Sequence, residues 1–185
     1  SLALSRELGN QAGAADSLYK IGNVNKSIGN YLEALEHYRQ SLILFQELSD
    51  QAGEANALLN VGNVYQSLGN YSEALKYHER SLTISQNLGD RGGEADSLEN
   101  IGNAYQSLGN YPKALDYYER SLILARELGD RTGESSRLNN IGAVHAVREN
   151  HTESLEYYEQ SLTLTRELGN RPGEATALNN IGNVY

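Results

Sequence analysis

The chain repeats itself every 40 residues without an insertion or deletion, and this constrains its fold more than any other property. Ser-Leu recurs at Ser1-Leu2, Ser41-Leu42, Ser81-Leu82, Ser121-Leu122 and Ser161-Leu162. An apolar residue followed by Gly recurs in the same register, at Ile21-Gly22, Val61-Gly62, Ile101-Gly102, Ile141-Gly142 and Ile181-Gly182. A fixed period of this length implies a solenoid, in which each unit buries its apolar face only against its neighbours.

Each period holds two helical patterns. Ala55, Leu58, Val61, Gly62 and Tyr65 fall at helical spacing, and so do Ala74, Leu75, Tyr77, His78, Leu82 and Ile84. Between them stands Leu68-Gly69-Asn70, where Gly69 takes the left-handed conformation that ends a helix and Asn70 accepts from the first free amides of the next. Leu88-Gly89-Asp90 and Leu128-Gly129-Asp130 join one unit to the next by the same chemistry. Pro112 and Pro172 fall in the first turn of a helix, where a missing amide costs little. Glycine inside a helix costs about 1 kcal/mol relative to alanine. Its return at Gly62 and its equivalents therefore implies close helix contact there.

These residues resemble the tetratricopeptide repeat, whose pattern reads in one unit as Leu98, Ile101-Gly102, Tyr105, Ala114, Tyr118 and Ser121. The last position is usually Ala in that family. The usual repeat has about 34 residues; the longer form is similar to the subclass of kinesin light chains, spindle-orientation adaptors and bacterial signalling arrays. The resemblance implies an all-α, right-handed α-solenoid of antiparallel helix hairpins, with the first helices lining a concave groove. The expected division is a partial second helix over 1–9, full repeats over about 11–50, 51–90, 91–130 and 131–170, and a partial first helix over 171–185. The chain contains no Met, even at position 1, and reads as a fragment of a longer protein that begins and stops in mid-repeat. Uncapped solenoid ends invite end-to-end stacking.

Composition removes several functions. The net charge is −9, with Lys and Arg scattered among more numerous acids, which argues against nucleic-acid binding. No apolar run approaches the roughly 20 residues that cross a bilayer, and no secretory leader opens the chain. Cysteine is absent, which fits a reducing, cytoplasmic setting. The four histidines, His37, His78, His145 and His151, form no metal motif, and no phosphate loop is present. Neither enzymatic activity, a metal nor a cofactor is expected. His37 and His78 stand near the aromatic positions of second helices, where core packing is expected. The sequons at Asn25, Asn70 and Asn150 carry no weight in so Asn-rich a chain.

The candidate binding residues are asparagines on the first helices: Asn23, Asn60, Asn63, Asn100, Asn103, Asn140, Asn180 and Asn183. Members three apart share one helical face, which the resemblance turns toward the groove. Asn is a poor helix former, and its amide both donates and accepts, so a ladder of them suits the backbone of an extended peptide. The alternative is that they tie one helix to the next. The Asn60-type positions are expected to be the more exposed ones. Flanking residues, among them Asp16, Tyr19, Lys26, Asn56 and Arg137, would set specificity. Chaperone-binding members of the family carry a cationic clamp; Asn23 and Asn60 match its amides, but Tyr19, Asp96 and Asn100 stand where it wants cations. The fourth unit departs most, with His145, Glu149, His151 and Ser154 replacing Tyr, Gly, Tyr and Ala, and Asn150 is expected to take the left-handed turn in place of Glu149. The expected function is a scaffold that binds a partner peptide or helix, with self-assembly or a sensor arm of a signalling protein as alternatives.

Overall fold

The computed structural model describes residues 10–185; the partial helix expected over 1–9 lies outside them. All regular structure among the described residues is helical. The order is α1 (Gln11–Ser27), α2 (Tyr31–Glu47), α3 (Gln51–Ser67), α4 (Tyr71–Leu88), α5 (Arg91–Ser107), α6 (Tyr111–Leu128), α7 (Arg131–Val147), α8 (His151–Glu167) and α9 (Arg171–Val184). The chain forms two compact units, up to Ala104 and from Tyr105, with the boundary inside α5. In the first unit α1 packs on α2, α2 on α3 and α3 on α4; in the second α6 packs on α7, α7 on α8, and α9 on both α8 and α7.

The loops explain why the helices stop and restart where they do. Gly69 sits at φ 76°, and its neighbour Asn70 donates its amide back to the Tyr65 carbonyl at 2.8 Å, closing the end of α3. Two non-glycine residues take the same left-handed turn, Ser49 (φ 56°) and Glu149 (φ 62°). Asn150 was the expected left-handed residue of the second of these loops; instead it precedes α8 at φ −86° and Glu149 itself adopts the turn. A side chain in this region costs about 1–2 kcal/mol. Glu149→Gly is therefore expected to raise the urea midpoint, by about 0.5–1 kcal/mol once the looser unfolded chain is counted; an unchanged or lower midpoint would count against this account of the turn.

The two kinds of loop differ in their caps. Between hairpins, the side chains of Asp50, Asp90, Asp130 and Asn170 accept from the amides of Gly53, Gly93, Gly133 and Gly173 at 2.9–3.1 Å. Within hairpins, Asn30, Asn70 and Asn150 make no such bond, and Asn110 only a long one of 3.4 Å to Lys113. The expected cap at Asn70 is thus not formed. The third helical residue supplies the reason. A methyl group added at Gly53 or Gly93 would lie 2.7 or 2.5 Å from the capping carboxylate, so glycine lets the carboxylate sit close over the helix end. Within hairpins that residue is Glu33, Glu73, Lys113 or Glu153.

A second feature spans four successive inter-hairpin loops and was missed from sequence. Gln46, Gln86, Arg126 and Arg166 donate to Glu54, Glu94, Glu134 and Glu174, eight residues on, at 2.7–3.0 Å. Its sequence signal was the recurrence, at a spacing of 40, of a long donor and a Glu eight residues after it.

The cores follow the repeat. In the first unit Ala34, Leu35, Tyr38, Val61 and Val64 pack together, beside a cluster of Ala15, Leu42, Phe45, Ala57 and Leu58. In the second, Ala114, Tyr118 and Leu122 pack with Leu138, Ile141 and Val144. The recurrent helical glycine faces the buried ring of its hairpin partner: Gly22 faces Tyr38, Gly62 faces His78, and Gly142 faces Tyr158. The serines that stand in place of the family's Ala are buried, and two of them bond carbonyls, Ser81 donating to Ala55 and Ser161 to Ser135. In the fourth unit Ser154 donates to Gly142, and His145 keeps the aromatic stack: it lies 5.5 Å from Tyr157, as Tyr105 does from Tyr117.

Candidate binding surface

On the first unit, the exposed side of α1 and α3 carries a connected polar network. The Lys26 ammonium donates to Asn60 Oδ1 at 2.6 Å. Asn60 Nδ2 donates to the Tyr19 hydroxyl at 2.7 Å and to the Asn56 carbonyl at 3.1 Å. The Tyr38 hydroxyl donates to Asn23 Oδ1 at 2.7 Å, and the Tyr19 and Tyr38 rings meet at 5.7 Å. Burial lowers the Lys26 pKa. Burial also raises Tyr38, with the neighbouring Tyr19 adding to the effect. Tyr19 itself is raised by burial and drawn partly back by its bonds to Asn23 and Asn60. Both tyrosines therefore stay protonated and neutral at ordinary pH.

Asn60 is only 8% exposed, against the exposure expected of it. Its amide is engaged at both ends because Tyr19, on the preceding first helix, comes within reach. The second unit repeats the arrangement: Asn180 Nδ2, on α9, donates to Asn139 Oδ1, on α7, at 2.9 Å. Tyr19 and Asn60, like Asn139 and Asn180, are 41 residues apart. The amides at this position tie successive first helices side by side. Asn100 donates to the Asp96 carbonyl of its own helix. Asn63, Asn103 and Asn140 are half-buried, and Asn183 is exposed.

The flanking residues expected to set specificity separate in the same way. Asp16 and Asn56 are exposed and Tyr19 and Lys26 half-buried. Arg137 is not on the surface: at 2% exposure it lies inside the second unit, donating to Ser121 Oγ at 2.6 Å, with the Asp130 carboxylate 3.7 Å away. His37, expected to pack in a core, is half-exposed and bonds the Glu33 carbonyl. His78 is wholly buried, and neither ring nitrogen has a partner.

Each unit opens a cleft at the junction of two hairpins. In the first, a cleft of about 230 Å³ between α1, α2 and α3 is lined by Asp16, Tyr19, Phe45, Asp50, Gly53 and Asn56. In the second, one of about 200 Å³ between α7, α8 and α9 is lined by Ser136, Asn139, Thr165, Asn170, Gly173 and Thr176, together with Thr132, Ser135 and Ser161. The first six lining residues of the second cleft stand 120 positions after those of the first. Among the described residues, no group of His, Asp and Glu is arranged to hold a metal ion, and no helix is long and apolar enough to cross a membrane.

The fold matches many solved structures. BtubC (BKLC) from P. vanneervenii superposes with a TM-score of 0.87 at 20% identity, covering 100% of this chain and 79% of that one. A signal-transduction ATPase with numerous domains (STAND) and a tetratricopeptide-repeat sensor, from Pyrococcus horikoshii, gives 0.84 at 18% identity, covering 95% of this chain but 27% of its own. A Rap protein complexed with competence and sporulation factor gives 0.79 at 18% identity, over 91% of this chain and 47% of that one. No curated protein sequence matches the chain. The tetratricopeptide-repeat profile matches residues 13–87, 53–127 and 134–185. With that coverage, the chain belongs to the tetratricopeptide-repeat family.

Proposed function

We propose that the chain is a protein-interaction scaffold that takes a partner's peptide or helical segment along its first helices. The observation that carries this reading is the recurrence of one cleft, at equivalent positions, in both units. Its lips are side chains the core does not need: Asp16 and Asn56 in one, Ser136 and Thr176 in the other, all exposed. The Asn ladder acts here in two ways. Asn60 and Asn180 hold neighbouring first helices in place, while Asn63, Asn103, Asn140 and Asn183 contribute amides toward the peptide. The mixture of amides, hydroxyls and a few charges suits main-chain recognition. The Rap protein of this fold, complexed with competence and sporulation factor, supports a ligand-binding role for such an array.

The test begins with peptides selected from a random displayed library against the whole chain, with affinity measured by fluorescence anisotropy. Asn56→Arg and Ser136→Arg, each filling one cleft, are expected to weaken a selected peptide about tenfold or more in at least one of the two variants. Peptides that bind both variants as tightly as the parent would sink the reading.

Self-association has one observation in its favour. Val24 and Ile28, apolar residues at the end of α1, are 61% and 64% exposed. A second copy seated there would make light scattering rise with concentration in the absence of any partner. The sensor-arm alternative draws on the STAND protein, of which this chain spans about a quarter.

A further inference from the structure

The four loops between hairpins share a cap, a glycine and a buried serine, but one site beside them changes occupant. Beside Gly53 lies the Phe45 ring, from the end of the preceding second helix. Beside Gly93 lies the Ser85 hydroxyl, and beside Gly173 the Thr165 methyl, each 2.7 Å from where a methyl on the glycine would sit. At Gly133 the second helix supplies only Ala125, and the space is taken by the Arg137 guanidinium from the helix that follows. Twelve residues after each second-helix residue stand Ala57, Ser97, Arg137 and Ala177. The first and third pairs thus read large–small and small–large, the second and fourth hold only small or middle-sized residues, and all eight residues are buried.

The neighbouring serine registers the same choice. Ser121 Oγ accepts from Arg137 Nε at 2.6 Å, and Ser81 Oγ accepts from Ser97 at 3.2 Å. Ser41 Oγ, opposite Ala57, is buried and has no partner. The first junction therefore already holds the serine, the glycine and the Asp50 carboxylate that an arginine at position 57 would use, and lacks only the room that Phe45 fills.

We propose that the Phe45–Ala57 and Ala125–Arg137 pairs are keys that keep the first and third junctions between hairpins from exchanging partners. Repeats this similar carry the hazard of pairing out of order, because caps, glycines and most core positions are shared and discriminate nothing. A swap that brought the Phe45 end onto the Arg137 helix would put a ring and a guanidinium in one place. The Ala125 end on the Ala57 helix would leave a void. Exchange between these two junctions is penalised by sterics or by an unmatched buried group, while the right pairings keep the common scaffold.

A double-mutant cycle in the full chain tests this. Phe45→Ala and Ala57→Arg are each expected to raise the unfolding equilibrium constant strongly, and together to raise it at least about tenfold less than the product of the two. The reverse graft, Ala125→Phe with Arg137→Ala, is expected to show the same sign of coupling. Additive effects in both cycles, or failure of both double variants to fold, would overturn the proposal. Ordering is read separately from packing. With two keys removed, Phe45→Ala/Arg137→Ala is expected to refold at high concentration into swapped dimers several-fold more often than the parent, by size exclusion. An equal dimer fraction would leave the pairs as packing alone and would also overturn the assignment.

Discussion

Replacing His78 by Tyr is expected to stabilise the protein at neutral pH and to remove much of its sensitivity to acid. Position 78 is a tyrosine in the other hairpins, as Tyr38, Tyr118 and Tyr158. The Tyr118 hydroxyl donates to Gln106 Oε1 at 2.7 Å. Gln66, the equivalent of Gln106, has a buried Oε1 with no partner, and both nitrogens of His78 are likewise buried and unpaired. Three of the unpaired buried side-chain atoms among the described residues thus arise from one exchange, because an imidazole is too short to reach where the phenol oxygen reached. Leaving buried polar groups unsatisfied costs about 1–3 kcal/mol, so His78→Tyr is expected to raise the urea midpoint by a comparable amount. Gly62 already supplies the close approach that Gly22 and Gly142 give their tyrosines.

The acid response follows from the same burial. Loss of solvent around the ring lowers its pKa from 6.5 to about 4. At neutral pH the ring is uncharged in both folded and unfolded chains, and its contribution is fully present. Below pH 6.5 the unfolded chain takes up a proton that the folded chain refuses until about pH 4, so stability falls through that window as pH falls. At about 1.4 kcal/mol per pH unit the loss reaches roughly 3 kcal/mol. Urea titrations at neutral pH and near pH 4 should show the parent losing this much more than the tyrosine variant. An equal loss in both would mean that His78 is not the group responsible.

The recurrent helical glycine yields the second large effect, and its sign depends on the hairpin. A methyl at Gly22 would lie 2.7 Å from the Tyr38 ring, and at Gly142 it would lie 2.8 Å from the ring of Tyr158 and 3.2 Å from the Ser154 carbonyl. Both rings are buried and cannot retreat. Gly22→Ala and Gly142→Ala are each expected to destabilise by about 1–3 kcal/mol, the usual cost of overpacking a filled core. At Gly182, at the same register of α9, nothing lies within 4 Å. There the helix preference for alanine acts unopposed, and Gly182→Ala is expected to stabilise by up to about 1 kcal/mol, less if the end of α9 frays. Thermal or urea unfolding of the three variants checks the contrast. A shift of the same sign at all three positions would show that ring contact does not set the cost of the methyl.

What could be read in advance was whatever depends on residues close together in the chain. Helix limits followed from Gly69, Gly89 and Gly129, and the close approach at Gly62 from a glycine inside a helical pattern. The failures have a common physical cause. The burial of Arg137 depends on Ala125 being small, twelve residues back, and the burial of Asn60 depends on Tyr19, 41 residues back. The close caps at Asp50, Asp90 and Asp130 go with a glycine three residues on, a pairing that the cap residue alone does not reveal, and Asn70, with Glu73 there, forms none. Each is a local side chain whose role is set by a neighbour that the helical period alone does not reveal. For the candidate binding surface, the polar character of the first helices was legible. The tying of neighbouring first helices by Asn60 and Asn180 was not, because it depends on which side chain the adjacent hairpin presents.

The straps across the inter-hairpin loops have a consequence of their own. In the first unit the donors are the neutral Gln46 and Gln86; in the second they are the charged Arg126 and Arg166. Dissolved ions weaken an attraction between full charges far more than one between a carboxylate and an amide dipole. Two units built to one plan therefore meet a change in ionic strength differently: brine weakens the straps themselves in the later half, whereas in the earlier half it acts only on the longer ion pairs of Glu54 with Arg80 and Glu94 with Arg91, at 3.5 and 3.4 Å.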